Sequence, residues 1–204
     1  MGETCWADAN VTQPGTFAPR PDMYTEHYQW GVSNAWNPIN PALGITIPGW
    51  SNSVATNMWV PTPCPEGWRL PTSAEMTALH NLSGDYSSRG GYWAAAGSER
   101  GNEVAGRFYG AGAAASNPAN PNATALPQGL SICQLPGTMT GCIFLPAVGR
   151  RRGTDGAGEE RGVSGLYWGF ASNVTLAPRL GFTSSLSLVS NYDKALGHTL
   201  RCVQ

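Results

Sequence analysis

Apolar and polar positions succeed one another along this chain in short blocks. In the C-terminal half CIFLPAVG, GLYWGFAS, RLGFTSS, SLSLV and HTLRCVQ each set a few apolar residues between Gly, Ser, Asn or Pro, the pattern of short strands separated by turns. Within RLGFTSS a period of two predicts that Leu180 and Phe182 point inward and that Arg179, Gly181 and Thr183 point outward. LPTSAEMTALHNLSG departs from this rhythm and predicts a helix over residues 73–83. Thr72 can cap it, Glu75 can return to the cap's backbone, Pro71 bars extension backward and Gly84 can end it. Met76, Leu79 and Leu82 would form its buried face, with His80 at the rim. Residues 1–60 read as strands and ordered loops punctuated by Pro, Gly and Asn, and residues 97–141, containing GAGAAASNPANPNATALPQG, as a loop-rich insertion. The expected fold class is α+β, a single domain over residues 1–204 with an antiparallel sheet, few helices and long ordered loops.

Composition narrows the partners. Only 12% of the 204 residues are charged, against about 25% in an average domain. Twelve basic groups, eleven of them Arg, face thirteen acidic ones, so no broad field favours nucleic acid or an anionic membrane. No apolar run is long enough to predict a membrane span. The opening MGETCWADAN carries neither the basic nor the apolar region of a signal peptide, which leaves the compartment to the cysteines. Cys5, Cys64, Cys133, Cys142 and Cys202 show no CxxC spacing and no paired His, so disulfides fit better than zinc. Cys133 and Cys142 can close a small turn-rich loop, and Cys64 or Cys5 can meet Cys202. Five buried free thiols are the alternative.

Chemistry-bearing patterns are sparse. His27, His80 and His198 form no HExxH arrangement, and the chain has no GxSxG elbow and no phosphate-binding loop ending in GK. GAGAAA follows no strand and runs into Asn-Pro pairs, which disfavours a dinucleotide site. Asp22, Glu26, Glu75 and Asp85 could pair for glycoside hydrolysis, but capping and solvation account for each. RRRGTDGAGEER, with four Arg and three acids, reads as a self-neutralising loop. No metal or cofactor is expected.

Several motifs in order carry a resemblance: PCPEGWRLPTSAEM at Pro63 to Met76, FLPAVG at Phe144 to Gly149, GLYWGF at Gly165 to Phe170 and LGHTLRCV at Leu196 to Val203. With PGTFAPRPDMYTEHYQWG at Pro14 to Gly31 they resemble the Fibrobacter succinogenes major paralogous domain over nearly the whole chain, residues 97–141 excepted. The resemblance implies a C-type lectin fold of the formylglycine-generating-enzyme-like subclass. It also implies export by gut bacteria or carriage on their phages, with an extracellular, cell-surface or virion location. Some members of this group are variable proteins of diversity-generating retroelements, in which adenines of the C-terminal coding region are randomised. Randomised AAC codons become NNC and cannot encode Glu, Gln, Lys, Met or Trp. Residues 161–200 contain no Glu, Gln or Met, one Trp within the YW motif and one Lys.

What the resemblance implies is a non-enzymatic ligand-binding protein that displays a hypervariable C-terminal surface to a protein or glycan on a cell or host. Gly165, Tyr167 and Trp168 would be scaffold. The display positions would be Val163, Ser164, Leu166, Gly169, Phe170, Arg179, Gly181, Thr183, Asn191, Tyr192, Asp193, Leu196 and His198, where Tyr, Arg, Phe and His anchor and Ser, Gly and Asn adapt. The chain departs from calcium-dependent sugar-binding lectins in lacking their Glu-Pro-Asn or Gln-Pro-Asp loop and their Trp-Asn-Asp triplet, and no cysteine pair matches the copper site of the formylglycine-generating enzymes. An invariant adhesion module of the same family is the alternative, and an enzyme of the formylglycine-generating type a more remote one.

Overall fold

A computed structural model describes residues 4–39, 42–53, 59, 61–81, 92–97, 104–110, 142–171 and 175–204. Most of the regular structure there is antiparallel sheet, with one helix, so the fold class is α+β. The strands are β1 (Tyr28–Gln29), β2 (Tyr92–Ala94), β3 (Gly106–Gly110), β4 (Cys142–Pro146), β5 (Arg150–Arg151), β6 (Gly158–Glu159), β7 (Gly165–Trp168), β8 (Leu176–Phe182), β9 (Ser187–Asp193) and β10 (Gly197–His198), and the helix α1 is Ser73–Asn81. Among the described residues they form sheets in the orders β1-β10-β5-β6, β2-β3-β4 and β7-β8-β9.

The helix begins where the sequence places it. Glu75 N–H donates to Thr72 Oγ1 at 3.2 Å and Thr72 N–H donates to Glu75 Oε2 at 2.7 Å, so two backbone donors at the helix start are satisfied reciprocally. The Arg69 guanidinium beside it holds the Glu75 carboxyl down to about 2. Met76 and Leu79 are buried, while Leu82, Gly84 and Asp85 lie outside the described residues.

The GLYW strand is buried along its whole length, and pairing explains why. Gly165 pairs with Phe182, Leu166 with Gly181, Tyr167 with Leu180 and Trp168 with Arg179. Tyr167, Leu180 and Phe182 join Met76, Leu79, Tyr109 and Val203 in one apolar cluster. Trp168 and Ala177, on the opposite face, join a second cluster with Trp30, Trp59 and Leu200. The sheet is therefore sandwiched, and each fully buried Trp contributes on the order of 4–6 kcal/mol of gross transfer free energy. Trp30 meets Trp59 edge to face at 5.1 Å and Trp168 at 6.0 Å, and the Trp168 indole N–H donates to Tyr28 O at 2.9 Å.

The last residues tie the clusters together. Leu200 and Cys202 enter the second cluster and Val203 the first. Between them Arg201, fully buried, donates to Ala7 O at 3.1 Å and Phe144 O at 2.8 Å. Cys202 is disulfide-bonded to Cys64, which resolves the choice left open between Cys64 and Cys5. Cys5 is itself disulfide-bonded, so the alternative of five free thiols is excluded. With Cys64 and Cys202 joined to each other, the partner of Cys5 is one of the two remaining cysteines, which corrects the expected Cys133–Cys142 pairing; Cys133 and the GAGAAA segment lie outside the described residues.

RRRGTDGAGEER forms the β5–β6 hairpin and neutralises much of its own charge: Arg150 pairs with Glu159 at 3.1 Å and Glu160 at 2.8 Å, and Arg152 with Asp155 at 2.6 Å. It is not wholly a surface loop, however. Arg151 is fully buried and donates to the Asn37 carbonyl. Among the described residues no helix is long and apolar enough to cross a membrane.

Candidate functional site

The β7-β8-β9 sheet and the turns at its ends carry the expected display positions, and the structure divides them. Val163, Phe170, Asn191, Tyr192 and Asp193 are exposed, and Thr183 and Leu196 are half-buried. Ser164, Leu166, Gly169, Arg179, Gly181 and His198 are buried, which corrects the expectation that they face solvent. Ser164 Oγ donates to Glu160 Oε2 at 2.7 Å. Gly169 has no room for a side chain, because a Cβ there would stand 2.7 Å from Met76 Cε and 2.9 Å from Pro71 O. The His198 ring lies 4.0 Å from the Trp168 indole, centroid to centroid. Leu166, Arg179 and Gly181 do lie on the face opposite Tyr167, Leu180 and Phe182, as period two requires. That second face is covered as well, so facing away from the first cluster does not mean facing water.

The exposed apolar residues gather at the two ends of this sheet. Val163 is 59% exposed on a tight turn in which its own N–H and that of Ser164 both donate to Glu160 O. Leu186, 49% exposed, lies in the β8–β9 turn at the same end. At the other end Phe170 follows Gly169, whose N–H donates to Pro178 O at 2.8 Å, and Leu176 opens β8. Tyr192 pairs with Ala177 beside them. Of the eight large hydrophobic residues exposed among the described residues, five lie within residues 161–200.

Beneath Tyr192 lies a polar centre. The Arg179 guanidinium carbon stands 3.2 Å from the centroid of the Tyr192 ring, a cation–π stack. Arg179 is 7% exposed, and its Nε and Nη1 have no hydrogen-bond partner among the described residues. Burial, together with the nearby Arg150 charge, pushes its guanidinium down to about 10, which leaves it cationic at neutral pH. Ser190, directly opposite Arg179 on β9, also has a buried Oγ without a partner. Burial holds His198 well below its ordinary range, and the Arg179 charge adds to this. Sequence reasoning missed Ser190 and Glu160. Register from Arg179 identifies Ser190 once β8 and β9 are paired; Glu160 stands out only in three dimensions, as the one non-glycine residue with a positive φ (61°) among those described.

The other candidates do not converge. Asp22 pairs with Arg20, Glu26 accepts from Thr12 and Gln13, and Glu75 belongs to the helix cap. His80 Nδ1 lies 3.1 Å from Ser187 Oγ, which also meets the Tyr109 hydroxyl at 2.8 Å. Ser187 is buried, so this chain of contacts ties α1 and β3 to β9. Among the described residues no three His, Cys, Asp or Glu side chains are placed to hold a metal ion.

No protein-family model matches the chain, and neither the curated proteins nor the solved structures include a significant match to it.

Proposed function

We propose that this chain is a non-enzymatic ligand-binding protein with a C-type-lectin-like fold of the formylglycine-generating-enzyme-like subclass. In this reading the C-terminal region is the variable surface of a diversity-generating retroelement protein, presented outside the cell or on a virion to a protein or glycan of a cell or host surface. The observation that carries it is the concentration of exposed Val163, Phe170, Leu176, Leu186 and Tyr192 around a sheet whose Tyr167, Trp168, Leu180 and Phe182 are locked in core. Large apolar side chains held at the surface of a rigid scaffold are the material of an interface. The burial of the six other positions narrows the display set to Val163, Phe170, Thr183, Asn191, Tyr192, Asp193 and Leu196.

The second reading, an invariant adhesion module, is favoured by the same burial: Gly169 and His198 sit where substitution disturbs the core. Deep sequencing of the coding region for residues 150–204 in the source population separates the two. Substitutions clustered at the seven exposed or half-buried positions support diversification, and uniformity with the rest of the gene overturns it in favour of one fixed ligand.

A further inference from the structure

Two adjacent strands of the sheet point unpartnered polar atoms at one spot. Arg179 on β8 offers Nε and Nη1, and Ser190, its cross-strand partner on β9, offers Oγ. Buried donors of this kind are costly unless something accepts from them. Tyr192 does not, because a ring face attracts the cationic charge without satisfying N–H groups directionally. Tyr192 is 36% exposed and sits on β9, an edge strand, so rotation of its side chain would open the face of the guanidinium that the ring covers.

The neighbouring charges restrict what can enter. Arg150 is engaged by both Glu159 and Glu160, and Glu160 also accepts from Ser164. The acids therefore already have partners, Glu159 having Arg152 as well, and Arg179 makes no ion pair of its own among the described residues. A monoanion suits a single free guanidinium, while a dianionic phosphate would be repelled more strongly by the nearby Glu160. Among monoanions, a carboxylate can accept from both a guanidinium and a hydroxyl.

We infer that Arg179 and Ser190 form a carboxylate-binding recess gated by the Tyr192 ring, which takes the acid group of a uronic-acid-type sugar. The sugar is favoured over an acidic peptide by Tyr192 itself. One face of the ring covers Arg179 and the outer part is exposed, giving the apolar face of a pyranose a flat aromatic platform next to its own carboxylate. This rests on the reading of the C-terminal sheet as a ligand-binding surface and names the chemistry it would select.

The test follows the arginine Nε–H signals of the 15N-labelled full chain, with the Arg179 signal assigned through R179Q, during titration with glucuronate, N-acetylglutamate, methyl glucoside and inorganic phosphate. Glucuronate is expected to shift the Arg179 signal saturably, methyl glucoside to leave it unmoved, and S190A to weaken glucuronate roughly tenfold. R179K, which keeps the charge and also removes the guanidinium signal, serves for the assignment if R179Q does not fold. No shift with glucuronate, or an equal shift with phosphate, overturns the recess. A shift with N-acetylglutamate and none with glucuronate overturns the sugar. The display reading is judged separately by population sequencing: variation at Val163, Phe170 and Tyr192 with a silent Arg179 signal sinks the recess and leaves the surface, and the reverse result does the opposite.

Discussion

Gly165 and Phe182 face each other across β7 and β8, and the Phe182 ring fills the space a side chain at Gly165 would need. A Cβ there would stand 2.5 Å from Phe182 Cε1 and Cε2. The ring has no open side to retreat to, because it packs against Tyr167 at 6.0 Å, Tyr109 at 6.0 Å and Trp93 at 6.4 Å, centroid to centroid. The glycine that opens GLYW is thus a packing requirement, with the aromatic ring of the next strand supplying the missing side chain.

Gly165→Ala should therefore lower stability by about 1–3 kcal/mol, the range for an overpacked core. Urea denaturation checks the magnitude. The pair should also be strongly non-additive: in Gly165→Ala/Phe182→Leu the smaller partner leaves room for the new methyl, so the double variant should lose less than the two single losses combined. Full additivity would show that the two residues are not coupled as the geometry requires.

Phe170 and Tyr192 should behave in the opposite way. Phe170→Ala removes an exposed side chain and should change stability by no more than about 0.5 kcal/mol. Tyr192→Ala removes the ring over Arg179 and should cost about 1–2 kcal/mol, the range of a cation–π contact with one partner buried and the other partly exposed. If these positions anchor a ligand, capture of source-population cells on immobilised protein should fall sharply for both variants while melting temperatures stay within a few degrees of the parent. A large loss of stability from Phe170→Ala would remove it from the display surface.

Legibility followed the distance over which each feature is decided. The Thr72–Glu75 cap is a matter of four consecutive residues, and it was readable because both partners are local. Period two placed Leu180 and Phe182 against the first cluster, since alternation along one strand is also local. Arg179, Gly181 and His198 were expected outside because nothing in the strand shows what covers its other face: Arg179 lies under the Tyr192 ring, Gly181 beside Leu166 and His198 against Trp168, and Trp168 is itself closed over by Trp30, more than a hundred residues away. The same distance hid the choice of Cys64 over Cys5 as the partner of Cys202.

The Cys64–Cys202 disulfide spans a sequence separation of 138, and closing so long a loop in the unfolded chain contributes about 5 kcal/mol on the chain-entropy model. Reduction should lower the melting temperature substantially, and Cys64→Ala/Cys202→Ala should reproduce part of that loss. Cys202 is fully buried within the second cluster, so the double variant should also loosen packing around Trp168, visible as weakened near-ultraviolet circular dichroism. A melting temperature unmoved by reduction of the intact protein would mean that the link restrains nothing in the unfolded chain.

Acid should destabilise the fold through two histidines that it buries uncharged. Burial, reinforced by Arg151 and Arg161, lowers His27 to about 3, and His198 is held well below its ordinary value by burial and by Arg179, His27 and Arg150. The unfolded chain, with histidines near 6.5, then binds more protons than the folded one at every pH between about 3 and 6.5. Stability contributed by the neutral rings is complete above pH 6.5 and declines as pH falls, by about 1.4 kcal/mol per pH unit for each histidine. His27 alone should account for about 2 kcal/mol between pH 6.5 and pH 5. His27→Phe, which keeps a buried ring that cannot titrate, should remove that share of the slope in urea denaturation at pH 7, 6 and 5. A pH dependence unchanged by His27→Phe would show that His27 does not carry the acid sensitivity.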